Sequence, residues 1–169
     1  AVAEAIDIPI MLYNVPGRTG TKIEPETIAK LSKVPNIVSI KEACGSVDQV
    51  TQILSLCDIE VVSGDDSLTL PMMSVGASGV VSVAANVVPA EGSALCAAAA
   101  RNDYPAAREI HYRLAPLFKG LFFETNPMPV KAALSRMGMI ENVLRLPLVP
   151  MQEAVFAKLQ PILEALKLV

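Results

Sequence analysis

The chain has 169 residues, 52% hydrophobic and 18% charged, with a net charge of -3, a globular composition long enough to bury a real core. The mildly acidic balance lacks a basic stripe, so no nucleic-acid partner is expected. No run approaches the ~18 consecutive apolar residues of a membrane span, so no membrane partner is expected either.

Residues 1–6 read as the last turns of a helix already under way, with no charged signal-peptide region. The chain is therefore expected to be the later part of something longer. Residues 9–15 form an apolar run ending at Pro16-Gly17, a strand followed by a loop. Glu24-Pro25-Glu26 opens a helix with proline in the first turn and acids near its positive end, carrying Ile28, Leu31 and Val34 and stopped by Pro35. Residues 36–43 are a β-branched run between Pro35 and Gly45, a buried strand in which period two puts Ile37, Ser39 and Lys41 on one face and Val38 and Ile40 on the other. An amphipathic helix over 46–57 follows, with Val47, Val50, Ile53, Leu54 and Cys57 on one side. A third strand spans 59–64, and a short helix over 68–75 is capped by Gly76. A fourth strand covers 79–84, and an Ala-rich helix covers 90–101, closed by Asn102-Asp103.

Four strands alternating with helices at roughly 20–27 residues is the rhythm of parallel βα units. The strands read as apolar on both faces, as a parallel sheet covered on both sides requires. Their ends, at Tyr13, Lys41, Asp65 and Val81, converge on the carboxyl rim, where α/β proteins bind ligands. From Tyr104 the rhythm changes to helices over 105–123, 126–137 and 150–168, the last entered through the turn Leu146-Pro147-Leu148-Val149-Pro150. The expected organisation is residues 1–102 as four βα units and 103–169 as a helical domain.

Lys41 is the residue on which the functional reading turns. A lysine ending a buried strand either reaches solvent, which is where most lysines go, or serves as a nucleophilic amine. The second fate needs its ordinary pKa of about 10.4 lowered by burial or a nearby positive charge. The strand alone leaves both open. Cys44, Cys57 and Cys96 form no CxxC pair and no metal-ligand spacing, and read as reduced thiols of a cytoplasmic protein, Cys44 packing near the pocket. The adjacent Asp65 and Asp66 point in opposite directions on a strand, so they read as loop or N-cap residues rather than a metal pair. Asn126 reads as a helix N-cap with a rigid entry at Pro127 and Pro129. His111, alone in mid-helix, reads as a surface or interface residue.

The ordered set Tyr13-Asn14-Val15-Pro16-Gly17-Arg18-Thr19-Gly20, Lys41-Glu42-Ala43, Ser63-Gly64-Asp65-Asp66 and Glu124-Thr125-Asn126-Pro127-Met128-Pro129-Val130-Lys131 resembles the dihydrodipicolinate synthase family. This is a class I aldolase family that includes N-acetylneuraminate lyase. The resemblance runs over the whole chain and implies the second half of a (β/α)8 TIM barrel, units five to eight, with C-terminal helices. It implies a Schiff-base synthase that condenses pyruvate with aspartate semialdehyde in lysine (diaminopimelate) biosynthesis, with no metal or organic cofactor. Lys41 matches the imine-forming position, Tyr13 the proton-relay tyrosine, and Arg18 the entrance arginine that holds the aldehyde's carboxylate. Gly64 and Val81 match positions lining the pyruvate pocket, Val81 where many relatives carry isoleucine. Without the resemblance, Tyr13 reads as a core tyrosine bonded to a carbonyl and Arg18 as a solvated loop residue. The family further implies a homo-oligomer, typically a tetramer, and threonine and tyrosine hydroxyls outside this segment. The 169 residues alone are accordingly expected to be inactive without an N-terminal half barrel. The rival readings are another pyruvate-dependent aldolase acting on a sugar acid or keto acid, and a non-catalytic half-barrel fragment.

Overall fold

The computed structural model describes residues Ala1–Val169, which divide into two compact units. One comprises Ala1–Ser82 and Cys96–Asp103, the other Val83–Leu95 and Tyr104–Val169.

In the first unit, four parallel strands lie side by side in chain order: β1 (Ile10–Asn14), β2 (Ile37–Glu42), β3 (Glu60–Ser63) and β4 (Gly79–Val80). Between them run α1 (Pro16–Thr19), α2 (Pro25–Leu31), α3 (Val47–Leu56) and α4 (Thr69–Ser74). The helices start where their sequences say they should. Pro25 sits in the first turn of α2, and Ser46 caps α3 by accepting the Gln49 N–H at 3.2 Å. Gly76, at φ +113°, takes the chain out of α4 in a conformation closed to other residues.

The core of this unit joins the row Leu12–Ile40–Val61 of the sheet to Ile28 of α2, Val50 and Ile53 of α3 and Met72 of α4. Ile28, Ile40, Val50, Ile53 and Met72 are wholly buried. Each such side chain contributes about 1.5–3 kcal/mol relative to exposure, so this helix-side layer holds the sheet flat against its helices.

The sheet departs from simple alternation at one point. The pairing shifts between Ile10 and Met11, so that Ile10 faces Ile37 while Met11 faces Ser39. This irregularity sends Val38 outward, 45% exposed, and lets Ile37 join Ile40 in the same core. The expected grouping of Ile37 with Ser39 and Lys41 is corrected accordingly. The face opposite the helices carries Met11 (44% exposed), Tyr13 (49%) and half-buried Lys41, with Ser39 buried between the strands.

β4 is shorter than the expected 79–84. Beyond Val80 the ladder adds only the Val81 N–H bond to the Ser63 carbonyl. The reason lies in β3, whose last residue turns the chain away: Ser63 Oγ bonds both the Asp65 N–H and the Asp65 carbonyl. With no further partner to pair, residues Ala84–Asn86 coil into a 3-10 turn. Ala3–Ala5 is likewise a single 3-10 turn rather than an α-helical tail, and Asn36 Nδ2 donates to the carbonyls of Ala3 and Ile6 at 2.9 Å each.

The helix α5 covers Pro89–Ala100, and Asn102 follows in a left-handed conformation, φ 60°. No strand follows Val80. In the second unit, α6 (Tyr104–Gly120), α7 (Met128–Arg136) and α8 (Glu153–Ala165) enclose a core of Leu114, Leu117, Leu121, Ala133, Leu159 and Leu163, closed by Ala84, Val87 and Val88. The cap of α7 differs from expectation. Pro127 occupies the cap position, after a cis Asn126–Pro127 bond, and Asn126 Oδ1 is buried without a hydrogen bond. No helix is long and apolar enough to cross a membrane.

Candidate active site

Parallel pairing aligns residues of equal depth across the sheet. One row near the carboxyl ends reads Tyr13–Lys41–Val62–Gly79, and the next reads Asn14–Glu42–Ser63–Val80. Successive rows face opposite sides. The first row therefore lies on the open face, and the second on the helix side.

Lys41 is half-buried, its Nζ 4.2 Å from the centroid of the Tyr13 ring, a cation–π distance. It makes no salt bridge with any carboxylate. The side chain is thus neither in open solvent nor neutralised by an acid. It lies across a phenol that is itself half-exposed.

Gly64 closes the far side of this amine's stem. A Cβ there would stand 2.5 Å from Ala43 Cβ and 3.1 Å from Lys41 Cε, so only glycine lets the end of β3 run this close. Its N–H donates to the Glu42 carbonyl at 2.7 Å, continuing the ladder past the strand ends. Val81, two residues beyond Gly79, extends the ladder from β4 and is 42% exposed. Structure therefore brings Tyr13, Lys41 and Gly64 into one constellation, with Val81 at the adjoining strand end.

Arg18 follows from β1. The four-residue helix α1 leaves its guanidinium exposed and without an acidic partner. It stands at the same rim, just past the end of β1.

Asp65 and Asp66 do not converge as a pair. Asp65 is at the N-cap position of a 3-10 turn but makes no side-chain capping bond. Burial raises its pKa, Asp66 adds to the rise, and Lys41 opposes it. Asp66 is buried and accepts a short hydrogen bond from Ser82 Oγ. Nowhere do three or more His, Cys, Asp or Glu side chains meet in a way that would hold a metal ion. Burial pushes the Cys44 thiol up to about 11, with Glu42 adding to the rise, which keeps it protonated and non-nucleophilic at neutral pH. His111, distant in sequence from these groups, has its pKa lowered by burial, and its Nδ1 lacks a partner.

Sequence reasoning passed over one group. Glu42 is completely buried, directly after Lys41, and is bound by Asn14 and Gln49, themselves buried. The signal was present: period two places position 42 on the apolar side with Ile40, where an acid must be fully partnered.

A cavity of about 530 Å³ opens at the opposite end of the strands, lined by Pro35, Ile37, Val38, Leu56, Asp58 and Ile59 among others. It lies at the amino ends, the face of such sheets associated with stability rather than chemistry.

The parallel sheet thus carries an amine and a phenol side by side at its carboxyl end, the end at which α/β sheets bind ligands. The chain belongs to the Dihydrodipicolinate synthetase family, whose profile matches residues 1–166. A 4-hydroxy-tetrahydrodipicolinate synthase of Methanosarcina acetivorans is 54% identical over 156 residues, covering 90% of this chain and 54% of that protein. The crystal structure of dihydrodipicolinate synthase from Aquifex aeolicus superposes with a TM-score of 0.96 at 48% identity, over 99% of this chain and 58% of that one. A chloride-inhibited dihydrodipicolinate synthase of Acinetobacter baumannii, solved with pyruvate, gives 0.96 at 39% identity, again over 99% and 58%. The chain thus spans a little over half the length of the relatives it matches, and its four βα units form part of a TIM barrel.

Proposed function

We propose that this chain supplies the imine-forming side of a 4-hydroxy-tetrahydrodipicolinate synthase, a lyase of lysine (diaminopimelate) biosynthesis acting on pyruvate and aspartate semialdehyde. The observation that carries this is the placement of Lys41. Its amine lies on the open face at the carboxyl ends of the strands, 4.2 Å from the centroid of the Tyr13 ring and in no salt bridge.

The chemistry follows from that placement. The neutral amine adds to the keto carbon of pyruvate, and loss of water from the carbinolamine gives an imine. Once protonated, that imine draws electrons from the neighbouring methyl group, which loses a proton to give an enamine. The enamine carbon attacks the aldehyde carbon of aspartate semialdehyde, whose oxygen takes up a proton. The substrate's own amine then displaces Lys41 from the imine carbon in a cyclisation that frees the enzyme. Each step moves a proton, and the hydroxyl of Tyr13, whose ring lies beside the amine, is the proposed carrier. Gly64 provides backbone approach to the keto acid and Val81 its apolar wall. Arg18, unpaired at the rim, is the proposed holder of the aldehyde's carboxylate, to which a guanidinium binds bidentately. The protonated imine is the electron sink, so the scheme invokes no cofactor.

An eight-stranded ring needs four strands beyond these, and turnover is proposed to require them, in a cytoplasmic homo-oligomer, most simply a tetramer. Residues 1–102 are proposed as the barrel units and residues 103–169 as a helical domain.

The test is borohydride reduction in the presence of pyruvate, followed by peptide mapping. A reduced pyruvate adduct on Lys41, abolished in Lys41→Ala, is the expected result. An adduct on another lysine, or trapping of a sugar acid in preference to pyruvate, would overturn the assignment.

A further inference from the structure

The reaction just described makes no use of the most elaborate polar arrangement in the first unit. The Glu42 carboxylate is wholly buried and receives four N–H bonds. Asn14 Nδ2 donates to Oε1 and to Oε2 at 3.0 Å each, the Cys44 backbone N–H to Oε1 at 2.8 Å, and Gln49 Nε2 to Oε2 at 3.2 Å. The network closes on itself. Asn14 Oδ1 accepts from the Ile23 N–H at 3.0 Å, and Gln49 Nε2 also donates to the Ile23 carbonyl at 3.0 Å. One carboxylate therefore joins the end of β1, the end of β2, the loop before α2 and the first turn of α3.

A buried charge is retained in a core only with its partners complete, because stripping it of water is costly. Charge-assisted bonds of this kind are also shorter and stiffer than neutral ones. Asn14 and Glu42 are the neighbours, in their own strands, of Tyr13 and Lys41, and are paired across the sheet at the next row. Their side chains point to the helix side while the reacting pair points to the open face. Whatever fixes one row fixes the register of the other.

We propose that Glu42 is a positioning residue, whose buried carboxylate locks the carboxyl ends of β1 and β2 together and so holds the Lys41 amine against the Tyr13 ring. Its consequence for catalysis rests on the imine-forming role given to Lys41 above. The inference itself concerns the placement of that amine.

Glu42→Gln is the informative change, since it preserves size and shape. It substitutes an NH2 for one oxygen, and at either oxygen an N–H donor already points inward. Donor then meets donor, and the lock opens without a cavity. Gln49→Ala, which removes one of the three donating groups, is the milder variant should the first fold poorly.

Two rates are measured on folded protein. The first is borohydride trapping of pyruvate across a concentration series. The second is labelling of Lys41 by trinitrobenzenesulfonate, which needs no substrate site, with exposed Lys30 and Lys33 as internal references. In Glu42→Gln the maximal trapping rate is expected to fall 10–100-fold, the loss typical of slight misplacement, with half-saturation by pyruvate unchanged within about twofold. Labelling of Lys41, released from the Tyr13 ring, is expected to rise at least threefold against the references. Gln49→Ala moves both in the same direction, by less. A lowered melting temperature with both rates at Lys41 unaltered would overturn the inference and reduce Glu42 to a structural role. If the unsubstituted protein traps no pyruvate while labelling still responds, the catalytic reading fails and the positioning of the amine stands.

Discussion

Gly64 shows how much a single missing methyl can decide. The nearest atoms to its absent Cβ belong to Ala43 and to the stem of Lys41, so any side chain must displace one or the other. Gly64→Ala is expected to lower pyruvate trapping at Lys41 at least tenfold, and to cost about 1–3 kcal/mol from overpacking. Trapping and thermal melts on the same samples check both. At this scale the sequence was informative about Lys41, Tyr13 and Gly64, because each belongs to a motif whose order carries meaning. For Glu42, in the same motif, the alternation marks a buried position but not its partners, because a hydrogen-bond partner 28 positions away is invisible until β1 and β2 are paired. Asn126 failed for a related reason, its preference for helix caps giving way to the proline that occupies the cap instead.

Among the elements, α3 makes the plainest case for legible structure. Its cap, its length and its buried face at Val50 and Ile53 are all written in local spacing. Ile53→Ala, at a wholly buried site, is expected to cost 2–5 kcal/mol in denaturant unfolding. The same change at exposed Leu56, one turn on, should stay within about 0.5 kcal/mol. Helices α6 and α8 were also readable straight through their internal Pro116 and Pro161, since the apolar periodicity continues on both sides. The strands were less so. The slip at Ile10/Met11 and the early end of β4 depend on which partner remains available for pairing, information that no single strand contains.

On the scale of the molecule, protonation links one thiol to the stability of the whole first unit. Cys44 in the folded chain holds its proton up to about pH 11, whereas an unfolded cysteine releases it near 8.5. The folded state binds the extra proton between those values, so unfolding free energy is expected to fall as pH rises from about 8.5 toward 11. Below that window the contribution is constant. Urea titrations at intervals of pH, compared with Cys44→Ser, check this: the variant should lose the Cys44 share of the slope, and an identical slope would exclude the thiol as its source. The sheet also has two open edges, at β1 and β4, each with unpaired backbone groups that favour association. The parallel order of this sheet was legible from the regular alternation of elements.

The alternation of rows at the strand ends has a bearing on how such a site can be altered. Side chains at the rim around Tyr13 and Lys41, such as Val81, can be exchanged while the Leu12–Ile40–Val61 row goes on filling the interior unchanged. The reverse freedom does not extend to Asn14 and Glu42, since every replacement there is felt on the far side of the backbone. Libraries at this site should therefore vary Arg18 and Val81, keep Tyr13 and Lys41, and leave Asn14 and Glu42 alone. Repacking for thermal resistance should stop one residue short of each strand's end.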